Sequence, residues 1–208
     1  MNIAILGSGA LARALTTHLH KSGHVVRIGS RTPAGAAREG FPEGTAFNDH
    51  VEAAAWADAI VLAVPFGSID ALLPALANEL SDKVVIDAIN GIGADWQPVG
   101  LGEDASVAER VARLLPGSRV VKAFNMIFAD ALAAVDLEDA APRPTVFAAG
   151  DDPEALRVAA DVIEACGCTP GTVAGLTNAR YLEAMAHLNI SMALAGGGTR
   201  GRFAYVEA

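Results

Sequence analysis

The sequence predicts an α/β fold in which helices cover both faces of a doubly wound, mostly parallel sheet. Short apolar runs alternate with segments of helical periodicity along almost the whole chain, as parallel crossover connections require. Hydrophobic residues make up 52% of the chain, and most of this surplus is alanine, valine and leucine, which suits strands buried on both faces. A long helical pattern then follows the last predicted strand.

The individual elements follow from the hydrophobic period. Apolar runs of strand length, bounded by glycine, polar or charged residues, predict strands at residues 3–6, 25–28, 59–64, 83–87, 119–123, 145–149 and 169–173. Apolar residues spaced by three and four predict helices at residues 11–21, 51–56, 69–80, 107–115, 153–166 and 176–194. Three glycines, residues 196–198, end the last helix, and the segment around Tyr205 is predicted to form a short edge strand.

Charge and composition exclude several classes of function. The net charge is −9 and lysine and arginine form no block, which argues against a nucleic-acid partner. No apolar run is long enough to cross a bilayer, and the first strand lacks the basic region of a signal peptide, so we expect a cytoplasmic protein without a membrane partner. Cys166 and Cys168 lack the spacing of a metal site, so we expect free thiols and no metal.

A glycine-rich turn joins the first strand to the first helix. Gly7 allows the tight turn, Gly9 lets the backbone approach a pyrophosphate, and Ala12 takes the place of a third glycine where helix and strand pack closely. The first amides of the helix would face the phosphates. This arrangement predicts a Rossmann-type domain whose dinucleotide-binding turn consists of Gly7, Ser8, Gly9, Ala10 and Leu11.

The end of the second strand indicates which dinucleotide binds. NAD enzymes usually carry an acidic residue there for the ribose 2′-hydroxyl, but this chain has Ser30, Arg31 and Thr32 and no acid nearby. The Arg31 guanidinium suits a 2′-phosphate, and the two hydroxyls add donors. The sequence therefore predicts NADP as the cofactor.

Three later strand ends are candidates for the rest of the site. Val64 and Pro65 would form an apolar wall for the dinucleotide, and Ser68 would either contact it or cap the next helix. Asn90 and Asn125 carry amides that can both donate and accept hydrogen bonds, although asparagine also forms turns.

Segments 7–11, 29–31 and 120–125 together resemble the NADP oxidoreductase family of the coenzyme F420-dependent NADP reductases. The cytosolic domain of the STEAP metalloreductases is similar. The resemblance implies direct hydride transfer between the nicotinamide and a stacked deazaflavin or flavin. Because segment 120–125 is part of the resemblance, we expect Asn125 to orient the hydride acceptor. The resemblance also implies that NADP is contacted by residues 8–11 and by Ser30, Arg31, Val64, Ser68, Asn90 and Ala129.

The chain departs from the family at one position and leaves the acceptor open. Deazaflavin reductases of the family tend to have histidine where this chain has Asn125. The cleft offers no acid–base pair of the kind that alcohol oxidation needs, whereas transfer between two heterocycles requires mainly proximity. Coenzyme F420 or a flavin is therefore expected as co-substrate. The alternatives are an NADPH-dependent flavin or ferric reductase and a non-catalytic NADP(H)-binding sensor.

We expect one NADP-binding domain over residues 1–208, with residues 176–208 as a helical appendage that packs on it or on a partner subunit. The last helix carries an apolar stripe, which indicates either a homodimer contact or an intramolecular docking face. The stripe consists of Leu182, Met185, Ala186, Ile190 and Met192.

Overall fold

The computed structural model describes residues 1–36, 38–136 and 143–206, and these residues form one eight-stranded sheet. In chain order the strands are β1 (Asn2–Leu6), β2 (Val25–Gly29), β3 (Ala46–Asn48), β4 (Ala59–Leu62), β5 (Val84–Asp87), β6 (Arg119–Lys122), β7 (Thr145–Gly150) and β8 (Thr169–Ala174). Across the sheet they lie in the order β3-β2-β1-β4-β5-β6-β7-β8. Neighbours are parallel except β6 and β7, which are antiparallel. The strand order reverses between β1 and β4, which opens a crevice at their carboxyl ends.

Helices connect these strands and cover both faces of the sheet. They are α1 (Ala10–Lys21), α2 (His50–Trp56), α3 (Ile69–Ala75), α4 (Val107–Leu114), α5 (Ala129–Ala133), α6 (Pro153–Ala165) and α7 (Ala179–Met192). A 3₁₀ turn, Leu176–Asn178, precedes α7, and a π-helical turn, Ala193–Gly197, follows it.

The predicted α/β fold with a long C-terminal helix is confirmed, but several elements differ from the prediction. Strand β3 and helix α5, with three and five residues, were not predicted because they are too short to show a hydrophobic period. The edge strand expected around Tyr205 is wrong, since residues 201–206 form no strand. That segment is joined to the sheet by a bond of 2.9 Å from the Thr145 N–H to the Phe203 carbonyl and by one from the Tyr205 N–H to the Thr145 hydroxyl.

Helix α3 ends earlier than the sequence predicts. Pro74 lies in its last turn and has no N–H to donate. The Leu76 N–H then bonds to the Leu73 carbonyl at 3.0 Å, three residues back rather than four, and the helix stops.

The core consists of two apolar layers, one on each face of the sheet. Alternate residues of β1 point to opposite faces, so Ile3 and Ile5 pack in one layer and Ala4 and Leu6 in the other. Helices α1, α5 and α6 cover the first layer, while α2, α3 and α4 cover the second. The residues that begin the C-terminal helical segment, including Leu176, belong to the second layer.

A fully buried lysine joins the two central strands to the last helix. The Lys122 ammonium lies 2.9 Å from the Asp87 carboxylate and 2.8 Å from the Glu183 carboxylate, and it donates to the Ile89 carbonyl. All three charged side chains are buried, and we call them the Lys122 triad. An ammonium without partners could not remain in this apolar layer, so the two carboxylates make its position possible.

Glu183 of the Lys122 triad also binds the start of α4. Its carboxylate accepts hydrogen bonds from the Val107 N–H at 2.9 Å and the Ala108 N–H at 3.2 Å, where the helix dipole favours negative charge. Complete burial raises the pKa of the Asp87 carboxyl above its ordinary value, and the attraction to Lys122 only partly offsets this. Strands β5 and β6 and helices α4 and α7 therefore meet at one buried set of charges.

We predict that Lys122→Met lowers the free energy of unfolding by about 3–5 kcal/mol, because two carboxylates stay buried without their cation. Urea-induced unfolding measures the change. The matched control is Arg157→Met, which removes a cation from exposed ion pairs on α6 and should leave the unfolding midpoint unchanged. Equal midpoints for Lys122→Met and the wild-type protein would show that the Lys122 triad does not hold these elements together.

Candidate functional site

A cavity of about 470 Å³ lies at the carboxyl ends of β1, β4 and β5. Its walls come from the glycine turn, the loop after β4 and the loop after β5, and they are mostly apolar. Among the residues predicted for the site, Leu11, Val64, Pro65 and Asn90 line it. The volume suits a small planar group such as a nicotinamide with its ribose.

Gly7 fixes the glycine turn between two neighbouring strands. Its N–H donates to the Gly29 carbonyl of β2 at 2.9 Å, and its backbone has a φ of +122°, which favours glycine. A Cβ at this position would lie 2.2 Å from the Ala63 carbonyl oxygen, at the end of β4. A residue with a side chain therefore cannot take this place without moving β4.

The start of α1 has the features of a phosphate site. Gly9 is the N-cap and provides no side chain to bind the first amides, and the first turn of α1 contains no acidic residue. A Cβ at Gly9 would meet no protein atom within 4 Å, so this backbone faces open space. Ala12 is fully buried against the sheet, as its role in close packing requires. These features fit a pyrophosphate at the helix N-terminus.

Ser30, Arg31 and Thr32 follow β2 in an ordered turn. The Ser30 N–H donates to the Asn48 carbonyl of β3 at 2.9 Å, and its hydroxyl oxygen accepts from the Thr32 N–H at 3.3 Å. The Ser30 side chain is buried, so this bond shapes the turn. Arg31 and Thr32 are exposed, which leaves the guanidinium accessible to an anion.

His50 is a neighbour of this turn that sequence analysis gave no role. It begins α2, and its Nδ1 is buried and has no hydrogen-bond partner among the described residues. Burial and the nearby Arg31 guanidinium both lower the pKa of His50 below its ordinary value. The ring is therefore mainly neutral at pH 7. His50 follows β3 and Arg31 follows β2, and the two residues become neighbours because these strands pair in the sheet. No local sequence pattern therefore marks His50 as part of this turn.

The loop after β4 contributes Val64 and Pro65 to the cavity, but the structure places Ser68 differently. The Ser68 hydroxyl donates to the Pro65 carbonyl at 2.7 Å and makes no capping bond to α3. Ser68 therefore occupies the N-cap position of α3, as expected, but its side chain does not cap the helix. Its side chain stabilises the 3₁₀ turn that shapes the cavity wall.

Asn90 and Asn125 form a mutual pair between the ends of β5 and β6. The Asn125 side-chain N–H₂ donates to the Asn90 Oδ1 at 3.0 Å, and the Asn90 N–H₂ donates to the Asn125 carbonyl at 2.6 Å. The Asn125 N–H₂ also donates to the Leu182 carbonyl of α7 at 3.0 Å. Asn125 is 6% exposed, and its Oδ1 is buried without a hydrogen-bond partner among the described residues. Asn90 lines the cavity, whereas Asn125 is not among the lining residues.

Ala129 lies apart from the cavity that contains Asn90. It begins α5 and lines a second depression of about 320 Å³ between α1 and α5, together with Ala10 and Arg13. The structure thus places the predicted binding residues on two sides of the α1 N-terminus, with Leu11 facing one depression and Ala10 the other.

Two further features were missed from the sequence. The Lys122 triad lies directly before the Asn90–Asn125 pair, and its signal was a lysine between the two valines of β6 and the apolar residues that follow. Trp96 lines the cavity from the loop after β5, and no local pattern around it marks it as a cavity residue.

Helix α7 divides its apolar side chains between two faces. Leu182, Ala186 and Ile190 are buried within the domain, so intramolecular docking accounts for most of the predicted stripe. Leu188 and Met192 are exposed. Within residues 1–36, 38–136 and 143–206, no cluster of side chains could hold a metal ion, and none of the helices has the length and apolar character to cross a membrane.

Comparison with known proteins identifies the family. A family model described as NADP oxidoreductase, coenzyme F420-dependent, matches residues 2–91. The F420-dependent NADP reductase of Methanothermobacter thermautotrophicus is 34% identical, over 92% of this chain and 89% of its own length. The metalloreductase STEAP3 of Rattus norvegicus is 36% identical over 88% of this chain, which spans 36% of that relative's length.

A solved structure supports the same relationship. A protein from Arthrobacter sp. FB24, proposed to be an F420-dependent NADP-reductase, is 27% identical and has a TM-score of 0.85, with 99% of each chain covered. The chain therefore belongs to the coenzyme F420-dependent NADP oxidoreductase family and is an NADP-dependent oxidoreductase.

Proposed function

We propose that this chain binds NADPH across the crevice and transfers a hydride between the nicotinamide and a flavin or deazaflavin ring. The observation that carries the proposal is the combination of an open phosphate site at Gly9 with the accessible guanidinium of Arg31. The F420-dependent relative supports the deazaflavin class of acceptor.

The dinucleotide would lie across the point where the strand order reverses. Its pyrophosphate would bind the amides at the start of α1, and its 2′-phosphate would bind Arg31 and Thr32 beyond β2. Its nicotinamide would enter the cavity beside Val64 and Pro65. This placement uses the turn residues and the wall residues predicted from the sequence, whereas Ser30 and Ser68 would act by holding their turns in shape.

NADPH supplies a hydride at the nicotinamide ring, and the oxidised acceptor takes up that hydride together with one proton from solvent. The protein itself is neither oxidised nor reduced, so its contribution is binding, orientation and exclusion of water. The cavity walls are mostly apolar, and Asn90, which is paired with Asn125, contributes a side-chain amide to them. Asn125, which holds the Asn90 amide in place and has an unpartnered oxygen of its own, would orient the ring of the acceptor.

We expect the purified protein to oxidise NADPH when a flavin (FMN or FAD) or a deazaflavin is added. NADH should be a far less effective hydride donor. Absorbance at the nicotinamide band measures the rate for each acceptor, and a ferric chelate is included because STEAP3 is a metalloreductase. Turnover of the chelate without any ring acceptor would favour the ferric reductase. Tight NADPH binding without turnover of any acceptor would favour the non-catalytic sensor.

We also propose two further properties of the chain. The exposed apolar residues of α7, including Leu188 and Met192, would pair two copies of the chain as a homodimer. A cytoplasmic location follows from the proposed use of NADPH. Both stay predictions.

We predict that Arg31→Ala weakens NADPH binding by about ten- to a hundredfold and changes NADH binding little. Losing a charged hydrogen bond to the 2′-phosphate costs roughly 1.5–3 kcal/mol. Calorimetric titration with both nucleotides measures the effect. Arg38→Ala is the matched control, because Arg38 is exposed in the same loop but its guanidinium stacks on Phe47 at 4.6 Å. Equal losses for NADPH and NADH in Arg31→Ala would mean that Arg31 does not read the 2′-phosphate.

We predict that Asn125→Ala lowers acceptor turnover at least tenfold while NADPH affinity changes little, because the lost contact is made to the second substrate. The same change leaves the Leu182 carbonyl without its donor, so some loss of stability is expected as well. Turnover and melting temperature are measured on one preparation, and turnover is corrected for the folded fraction.

Asn189→Ala separates these two effects. Asn189 is also buried, and its side-chain N–H₂ donates to the Met126 carbonyl at 3.0 Å, so it ties α7 to the same loop without belonging to the pair. Both variants should lose comparable stability, and turnover should fall only in Asn125→Ala. Equal loss of turnover in the two variants would assign Asn125 a structural role alone.

A further inference from the structure

Trp96 is a large aromatic residue at the rim of the cavity. Its side chain lines the cavity, yet the residue is 57% exposed, whereas Ala88 and Ile89 in the same wall are buried. At this exposure a tryptophan side chain gains little free energy from burial. Core packing therefore does not explain why position 96 carries tryptophan.

The loop that carries Trp96 is held by its own backbone. The Gly93 N–H donates to the Gln97 carbonyl at 2.9 Å, the Trp96 N–H donates to the Gly93 carbonyl at 3.1 Å, and the Val99 N–H donates to the Gly91 carbonyl at 3.0 Å. These bonds form a small hairpin that fixes the position of Trp96 relative to β5. The indole is thus presented on an ordered support.

The backbone conformation does not account for tryptophan at this position either. Trp96 has a φ of +63°, in the left-handed region where glycine and asparagine are most easily accommodated. A bulky side chain is disfavoured there, and such conformations are often found at ligand sites. The residue type is therefore better explained by what its ring contacts.

The Trp96 ring has no stacking partner among the described residues, and its indole N–H has no hydrogen-bond partner among them. By contrast, some other aromatic rings of the described residues have an arginine on one face. Arg27 lies 4.2 Å from the ring centroid of Trp56, and Arg110 lies 5.5 Å from that of Phe66, which lines the same cavity. Trp96 thus offers an open aromatic surface next to the proposed nicotinamide site.

We propose that Trp96 is the stacking platform for the tricyclic ring of the acceptor, a flavin or deazaflavin. The inference rests on the proposed function, because it assigns the second substrate of the same site. An electron-rich indole favours contact with the electron-poor oxidised ring. Trp96 takes no part in electron transfer in this scheme and acts on acceptor affinity alone.

The exposure of Trp96 favours the acceptor over the nicotinamide as its partner. The acceptor must enter and leave in every turnover while the dinucleotide holds the inner part of the crevice, so its contact surface belongs at the solvent-facing rim. The inner part, next to Leu11 and Ala63, is closer to the glycine turn that binds the phosphates. The nicotinamide would then lie against the residues that follow β4 and β5, and the acceptor ring would lie between the nicotinamide and the indole of Trp96.

The experiment measures riboflavin and 5-deazariboflavin binding to protein saturated with NADP⁺. Both partners are oxidised, so no turnover occurs, and neither ring carries a phosphate that could occupy the glycine turn. Calorimetry should show that Trp96→Ala weakens ring binding by about tenfold or more and leaves the Kd for NADP⁺ unchanged. Trp96→Phe should stay within about threefold of wild type. Wild-type protein with riboflavin should also show a long-wavelength charge-transfer absorbance that Trp96→Ala lacks.

Trp56→Phe is the control, because Trp56 lies on α2, is stacked on Arg27 and does not line the cavity. It should bind both rings like wild type. Unchanged ring affinity in Trp96→Ala, or failure of both rings to bind the NADP⁺-saturated wild-type protein, would overturn the proposal. So would a loss of NADP⁺ affinity in Trp96→Ala without loss of ring affinity, since Trp96 would then contact the dinucleotide.

The same measurements separate this inference from the proposed function. Ring binding that depends on Trp96 but is not followed by NADPH oxidation would contradict hydride transfer and leave the platform in place. NADPH oxidation with an unchanged acceptor KM in Trp96→Ala would support hydride transfer and contradict the platform.

Discussion

The rest of this structure depends on the burial of one ammonium group. Lys122 lies at the end of a central strand, where water cannot reach it, and the carboxylates of Asp87 and Glu183 compensate the lost hydration. Each carboxylate has a second task, because Asp87 accepts the Ile89 N–H and Glu183 accepts the first amides of α4. Removing any member would leave charges or backbone groups unsatisfied in the others. Two strands and two helices are therefore fixed relative to each other by electrostatics as well as by packing.

The geometry of the candidate site depends on that arrangement. Asn90 and Asn125 follow the ends of the two strands that the Lys122 triad joins, and Asn125 bonds to the same helix that supplies Glu183. The amides are thus positioned by a rigid support, which favours a preorganised polar contact in an otherwise apolar cavity. By contrast, the proposed phosphate contacts depend on backbone at the glycine turn, where Gly7 leaves no space for a side chain.

The parts of the fold and site that local chemistry determines could be predicted from the sequence. A tight turn needs Gly7, and Arg31 after the second strand, with no acidic residue nearby, indicates a 2′-phosphate. Neither prediction required residues that are distant in the sequence. Strand β3 and helix α5 escaped because they are too short to show a period. Glu183 could not be paired with Lys122, since contacts between residues far apart in sequence depend on the assembled sheet. Ala129 was assigned by resemblance to the same site as Asn90, and the structure places the two residues in separate depressions.

The reversal of strand order has a consequence for how such a protein can change. Arg31 follows β2 on one side of the reversal, while Asn90, Asn125 and Trp96 follow β5 and β6 on the other. Residues that are distant and share no partners usually contribute independently to binding. Mutations that alter nucleotide preference should then combine with mutations that alter acceptor preference by simple addition of their free energies. A mutant library for redesign can therefore be divided at the β1–β4 boundary and each half screened alone. The number of variants to be screened is then the sum of the two halves rather than their product.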